Sequence, residues 1–254
     1  MVNLNRTELR EKVKEVYKKV AENPDEKFHF EIGRVLAEKL GYSPIELDKI
    51  PQKAIDSFAG VGYHFDLANI NKGDKILDLG NGSGTDVFMA SFKTGENGKV
   101  IGIDMTEEQL KKAVKLSKKA EINNVSFEKG YIEELPFENS SFDIVISNGV
   151  INLSSEKEKV FKEISRVLKK GGKLAISDIV SEKQLSEGIV CNLTNWASCI
   201  GGAMQEDNYK KAIENAGMKI LKIKTNSQYQ FLSKSAQGAT KDFGIKSISL
   251  VAQK

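Results

Sequence analysis

The sequence is poor in the residues that build metal cages and disulfide frameworks. Its 254 residues include two cysteines, Cys191 and Cys199, and two histidines, His29 and His64. So few ligands exclude a disulfide scaffold or a His/Cys zinc site as the organising principle, and no metal is expected. A chain that does not lean on disulfides suits a reducing cytoplasm. No apolar run approaches the roughly 18 uncharged residues that span a bilayer. The opening stretch, MVNLNRTELREKVKEVYKKV, alternates charged with apolar residues and lacks the continuous apolar core of a signal peptide. Neither sign of charge dominates: 38 basic residues face 35 acidic ones, for a net charge of +3. That balance gives no electrostatic footprint for nucleic acid. The expectation is a cytoplasmic protein with no membrane and no nucleic-acid partner.

What is present suits a folded α/β chain. Hydrophobic residues make up 40% and charged residues 29%, and the mean hydropathy is −0.35. The length allows one large domain with modest elaboration.

Three zones follow from patterning. Residues 1–72 form an N-terminal helical extension. Val13, Val16, Tyr17 and Val20 recur at helical spacing, as do Ile32, Val35, Leu36 and Leu40. Ser43-Pro44-Ile45-Glu46 carries an N-cap, a first-turn proline and a third-position glutamate. Phe58 to Phe65 reads as a glycine-hinged loop.

Residues 73–180 alternate short apolar runs with amphipathic ones. Strands are predicted at 75–79, 99–104, 125–129, 142–147 and 173–177, and helices at 87–93, 107–121 and 156–168. The last helix closes on Lys169-Lys170-Gly171-Gly172, read as a C-cap. This alternation predicts an α/β fold with a doubly wound, mostly parallel sheet. In residues 181–254, an irregular stretch over 181–206 leads to a helix over 207–217. Two period-two runs, 218–224 and 245–252, predict an antiparallel C-terminal strand pair at one edge of the sheet.

The informative motif is Asp78-Leu79-Gly80-Asn81-Gly82-Ser83-Gly84-Thr85, where a strand runs into a glycine-rich turn that opens a helix. Glycines permit left-handed backbone and close approach of a ligand, and helix-start amides receive polar ligand groups. Asp104, at the end of the next strand, lies 24 residues beyond Gly80. That is the place of an acid that accepts from ribose hydroxyls in nucleotide-binding sheets. Met105 follows it and could pack on an adenine face. A nicotinamide dinucleotide calls for G-x-G-x-x-G, whereas Gly80, Gly82 and Gly84 read G-x-G-x-G. An acid two residues before the first glycine is badly placed beside a pyrophosphate. It suits a cofactor carrying an amine or a sulfonium, which points to S-adenosylmethionine.

These pieces, with Glu133-Glu134-Leu135-Pro136-Phe137, Phe142 to Ile146 and Val167 to Leu174 in register, resemble the class I S-adenosylmethionine-dependent methyltransferases. The resemblance implies the Rossmann-like sheet of that class and a methyl-transferring enzyme with a small-molecule acceptor. By that resemblance Gly80, Gly82 and Gly84 hold the methionine part of the cofactor and Asp104 the ribose, with Asp78 and Asn81 also among the cofactor-binding residues. Ile132 and Glu133 belong near the adenine, and Asn148 faces the methionine end. Tyr131 stands where the family often has an acid.

A narrower resemblance is to the arsenite methyltransferases. It rests on Gly102 to Thr106, Ile146 to Ser154, Gly41-Tyr42-Ser43 with Glu46-Leu47, and Cys199-Ile200-Gly201-Gly202-Ala203. That family holds trivalent arsenic through cysteine thiolates. Two of those positions correspond to Val61 and Gly149 here, leaving Cys199. One thiolate falls short of the two or three soft ligands a thiophilic centre prefers. The resemblance therefore implies a related enzyme with a changed acceptor site. Two alternatives stand beside it: a protein that binds the cofactor without catalysis, and a metalloid methyltransferase with a reduced thiol set. The N-terminal helices and the 181–206 segment with Trp196 suggest a lid. A proton acceptor is needed only if the nucleophile must lose a proton, and His64 and Cys199 are the candidates.

Overall fold

The protein is described here by a computed structural model covering residues 5–190, 196, 200–232 and 234–254. Helices α1 (Arg6–Glu22), α2 (Gly33–Leu40), α3 (Pro44–Leu47), α4 (Gln52–Ile55) and α5 (Phe65–Ala68) precede the first strand. Strands and helices then alternate: β1 (Lys75–Leu79), α6 (Thr85–Thr94), β2 (Lys99–Asp104), α7 (Glu107–Lys119), β3 (Val125–Lys129), β4 (Phe142–Asn148), α8 (Lys157–Val167) and β5 (Leu168–Ser181). The remainder comprises α9 (Glu187–Val190), β6 (Met204–Gln205), α10 (Glu206–Asn215), β7 (Lys219–Thr225), α11 (Lys234–Phe243) and β8 (Lys246–Gln253).

The strand order is β3-β2-β1-β4-β5-β8-β7, with β6 paired to β5. Strand β1 runs parallel to β2 and β4, while β8 runs antiparallel to both β5 and β7. The sheet is doubly wound and mostly parallel, closed by the antiparallel C-terminal pair. Its central strands are apolar on both faces, as burial under two helix layers demands. Leu77, Ile103, Val145 and Leu174 feed one core, against Phe161, Ile164 and Tyr209. Ile76, Val100, Ile144 and Ala175 feed the other, against Leu36, Ile55 and Phe88. The chain leaves β1 toward β2 on one side, and β4 lies on the other. A crevice opens at their carboxyl ends, where open α/β sheets bind ligands.

Several local expectations change. Val35 is 79% exposed, and the buried stripe of α2 is Gly33, Leu36, Ala37 and Leu40. Ser43 makes no capping hydrogen bond; Glu46 instead accepts from Lys93 at 2.7 Å, which ties α3 to α6. Gly171 and Gly172 do not cap α8. The helix ends at Val167, and the glycines lie inside β5, where pairing with β4 shifts register between Phe142 and Ile144. That β-bulge absorbs the extra residues. Helix α11 was not expected. Among the described residues, no helix is long and apolar enough to cross a membrane.

Helix α1 is fastened across the crevice from the α7 side. Gln109 Nε2 donates to the Tyr17 carbonyl at 2.8 Å, and Lys112 Nζ donates to the Ala21 carbonyl at 2.8 Å. Ser57 Oγ donates to the Val20 carbonyl at 2.7 Å, and Lys18 pairs with Glu108 at 2.8 Å. Leu9 and Val13 pack against Trp196 and Met105.

Candidate active site

The turn after β1 takes its shape from backbone that only glycine adopts cheaply. Gly80, Gly82 and Gly84 all have positive φ, and a Cβ on Gly80 would come within 2.5 Å of Val150. The turn folds back on the end of β2, where Gly80 and Asn81 donate to the Ile103 carbonyl at 2.7 and 3.2 Å. Asp104 is held at the same place. Its carboxylate accepts from the Gly82 amide at 2.9 Å and the Thr106 amide at 2.8 Å. A carboxylate has about four acceptor sites, and these two amides do not fill them. Burial pushes the Asp104 carboxyl up, and those amides pull it back.

Asp78 is 2% exposed, and among the described residues its Oδ2 has no hydrogen-bond partner. Burial pushes its carboxyl well above the usual range, and the neighbouring Asp86 and Asp104 add to the effect. Asn81 Oδ1 is likewise buried and without a partner. Buried acceptors left unpaired cost free energy until a donor arrives. Here two of them border a cleft with about 1060 Å³ of open space.

The opposite wall is a hydrogen-bonded network that sequence reasoning did not find. Tyr42 Oη donates to Asp86 Oδ1 at 2.6 Å. Asn148 Nδ2 donates to Asp86 Oδ2 at 3.2 Å, to Tyr42 Oη at 3.0 Å and to the Gly62 carbonyl at 3.0 Å. Asn148 Oδ1 accepts from the amides of Val61 and Gly62 at 2.8 and 3.3 Å. Asn148 thus pins the 58–62 loop to β4. Close approach makes this possible, because a Cβ on Gly60 would lie 2.6 Å from Asn148 Nδ2. From behind, Ser247 Oγ donates to the Val61 carbonyl at 2.6 Å. Burial raises the Asp86 carboxyl to about 6, with the Tyr42 and Asn148 donors holding it down.

At the far end, Ile132 and Glu133 border the cleft with Tyr131 and Gly130. Glu133 is buried and accepts from Ser154 Oγ at 2.6 Å. Arg10 of α1 reaches it at 3.5 Å and lies 4.6 Å above the Tyr131 ring. Lys157 Nζ donates to the Ser154 carbonyl at 2.6 Å and sits 5.0 Å from the Trp196 ring. Burial lowers its ammonium to about 8, against the pull of Asp178 and Glu133.

The structure brings Asp78, Gly80, Asn81, Gly82, Asp104, Met105, Ile132, Glu133 and Asn148 to one cleft. Gly84 does not border it. That residue precedes α6 with φ of 95°, and a Cβ there would meet the Phe88 ring at 3.0 Å. Its place is the turn and the helix packing. His64 does not border the cleft either. It is fully buried, both ring nitrogens lack partners among the described residues, and burial lowers its pKa to about 3. Its ring stacks on that of Phe65, with centroids 4.6 Å apart. Cys199, like Cys191, lies outside the described residues. Val61 and Gly149 do come together, since a Cβ on Gly149 would touch Val61 Cγ1 at 3.1 Å. Arg10, Tyr42 and Asp86 are polar site residues that sequence reasoning missed. Their one sequence signal is that Asp86 follows the glycine turn within the first turn of a helix.

A family described as a methyltransferase domain matches residues 70–217. The chain belongs to that family. Its fold is the Rossmann-like one of class I S-adenosylmethionine-dependent methyltransferases. The arsenite methyltransferase of Halobacterium salinarum is 36% identical over 187 residues, which cover 74% of this chain and 48% of that protein. The human arsenite methyltransferase is 45% identical over 138 residues, covering 51% of this chain and 37% of that one. A solved arsenic(III) S-adenosylmethionine methyltransferase from Chlamydomonas reinhardtii superposes with a TM-score of 0.66 at 28% identity, over 88% of this chain and 74% of its own. The chain spans about half, or less, of the length of these curated relatives.

Proposed function

We propose that this methyltransferase-family chain moves a methyl group from S-adenosylmethionine to a small apolar acceptor, and that arsenite is not that acceptor. One observation carries the cofactor reading: a buried, unpartnered Asp78 oxygen and the amide-held Asp104 border the same switch-point cleft. These donors and acceptors fit the group. Asp78 and Asn81 offer acceptors for an amine, Asp104 offers acceptors for ribose hydroxyls, and Met105 and Ile132 offer apolar flanks for a purine. When bound, the cofactor supplies an electrophilic methyl on a sulfonium sulfur. The chain's own contribution is positioning and exclusion of water. Holding two reactants in line is worth up to roughly 7–11 kcal/mol. Val13, Tyr17 and Arg10 of α1 roof the cleft, and a dry site favours transfer to a neutral or anionic nucleophile.

The acceptor reading rests on Val61 and Gly149, which lie close together at the two positions where the sequence resemblance implies arsenic-binding thiolates. An isopropyl group against a glycine offers no soft ligand, and Cys199 alone cannot supply two. Phe58, Ala59, Val150 and Leu153 extend the apolar wall. Incubation with methyl-labelled cofactor and a panel containing arsenite, phenols, enols and thiols tests both halves. Label should pass to an apolar organic acceptor and not to arsenic. Methylated arsenic would overturn the acceptor reading. Cofactor binding with no transfer across a broad panel would favour a binding protein that no longer catalyses.

A further inference from the structure

Asp78 and Asp86 border the cleft side by side in burial, 2% and 5% exposed. Among the described residues, neither forms an ion pair with lysine, arginine or histidine. Asp78 faces Asp86 and Asp104. Asp86 faces Tyr42 and Asn148, both of which donate to it. The phenol of Tyr63 senses Asp86 from the neighbouring loop and is itself held at about 12, chiefly by burial. Asp104 already spends acceptor sites on two amides. Negative charge therefore accumulates at one end of the cleft, and among the described residues it meets hydrogen-bond donors but no cation, and one carboxylate oxygen has no partner.

We propose that Asp78 and Asp86 share one proton in the free protein and release it when the amino group of the cofactor enters beside them. The inference rests on the cofactor reading above and deepens it. Two carboxylates in one dry space do not both ionise readily, and their protons leave in steps that belong to the pair. Burial sets this balance, holding Asp86 near 6 and Asp78 higher. An ammonium supplies the missing positive charge and makes the doubly ionised pair the stable form. One O–H bond breaks, the proton passes to buffer, and no other bond changes. Asp86 thereby becomes part of amine recognition, with Tyr42 and Asn148 as the positioning residues that hold its carboxylate toward the cleft.

Proton linkage gives the sign. A ligand that releases one proton binds about tenfold more tightly per unit rise in pH while the free pair is protonated. The dependence levels off once the free pair has lost its proton. Calorimetric titration of the full chain with S-adenosylhomocysteine at pH 7, in buffers of low and high ionisation enthalpy, reads the release directly. The heats should differ by about one buffer proton per site. 5′-Methylthioadenosine, which lacks the amino acid portion, should give the same heat in both buffers. Asp78→Asn should remove most of the release, and Asp86→Asn, which takes away the neighbouring charge, a measurable part of it. Tyr42→Phe deletes a donor that favours ionised Asp86, so the pH at which affinity levels off should rise. Tight binding of S-adenosylhomocysteine with buffer-independent heats would overturn the inference while leaving the cofactor reading intact. Equal release in Asp86→Asn would also overturn it. Failure of S-adenosylhomocysteine to bind at all would overturn the cofactor reading itself.

Discussion

Single side chains at the cleft act through which of their lone pairs remain unspent. Asp104 donates nothing and holds two amides, yet keeps acceptor sites turned to the cleft. Asp104→Lys replaces them with a cation. Cofactor binding should weaken by at least roughly the 1.5–3 kcal/mol of a hydrogen bond to a charged group, as read by calorimetry. An unchanged dissociation constant would reassign Asp104. His64 makes the opposite argument. Both its nitrogens are buried without partners among the described residues, and its folded pKa lies near 3 against an ordinary value of 6.5. Above pH 6.5 the residue is neutral in both states and adds no pH dependence. Below it, only the unfolded chain takes up the proton, so the fold loses about 1.4 kcal/mol per pH unit from this group down to pH 3. His64→Leu should flatten that part of the acid-denaturation curve, measured by urea unfolding at pH 7, 5.5 and 4. Equal acid loss in both proteins would show that the site admits a proton. The glycine turn and Asp104 were legible in the sequence because their geometry is local. Asp86 was not, since its partners Tyr42 and Asn148 arrive from 44 and 62 residues away.

Among the elements, α1 is the one whose amphipathic stripe was legible but whose partner was not. The period of Val13, Tyr17 and Val20 marks a buried face. Nothing in that period says that the face covers a ligand cleft and meets Trp196. Val13 is 2% exposed in that seam. Val13→Asp places an unpaired charge there at a cost of about 3 kcal/mol or more, which α1 avoids by lifting away. Limited proteolysis should then cut within residues 6–22 while the sheet stays intact, and cofactor affinity should fall. Protection equal to the parent protein would mean that α1 is held by its polar fastenings to α7 alone. The bulge at Gly171–Gly172 shows a different limit. Helix C-cap and bulge both favour glycine, and only the pairing with β4 decides between them.

The molecule as a whole carries its order in the sheet. Continuous apolar runs announced the central strands, and lysines in β7 announced an edge. The insertion of β8 between β5 and β7 was not legible, because hydrophobic period says which face a strand buries and nothing about its neighbours. Acids raised in the fold oppose the His64 contribution to the whole-molecule pH response. Asp86 and Asp178 both ionise near 6 in the fold against an ordinary value of 3.8, with burial the main cause. Each is protonated in both states at low pH, and stability is lost as pH rises from about 4 to 6, at about 1.4 kcal/mol per unit per group. Ligand stabilisation runs the other way, since it grows with affinity. The thermal shift given by a fixed concentration of S-adenosylhomocysteine should therefore be larger at pH 7 than at pH 5, by differential scanning fluorimetry. A shift that shrinks over that range would contradict the assignment. Trp196, the chain's single tryptophan, stands between α1, Met105 and the Lys157 ammonium. Its emission is thus a built-in optical gauge of how the opening helix seats on the later half of the chain, legible in any cuvette without a dye.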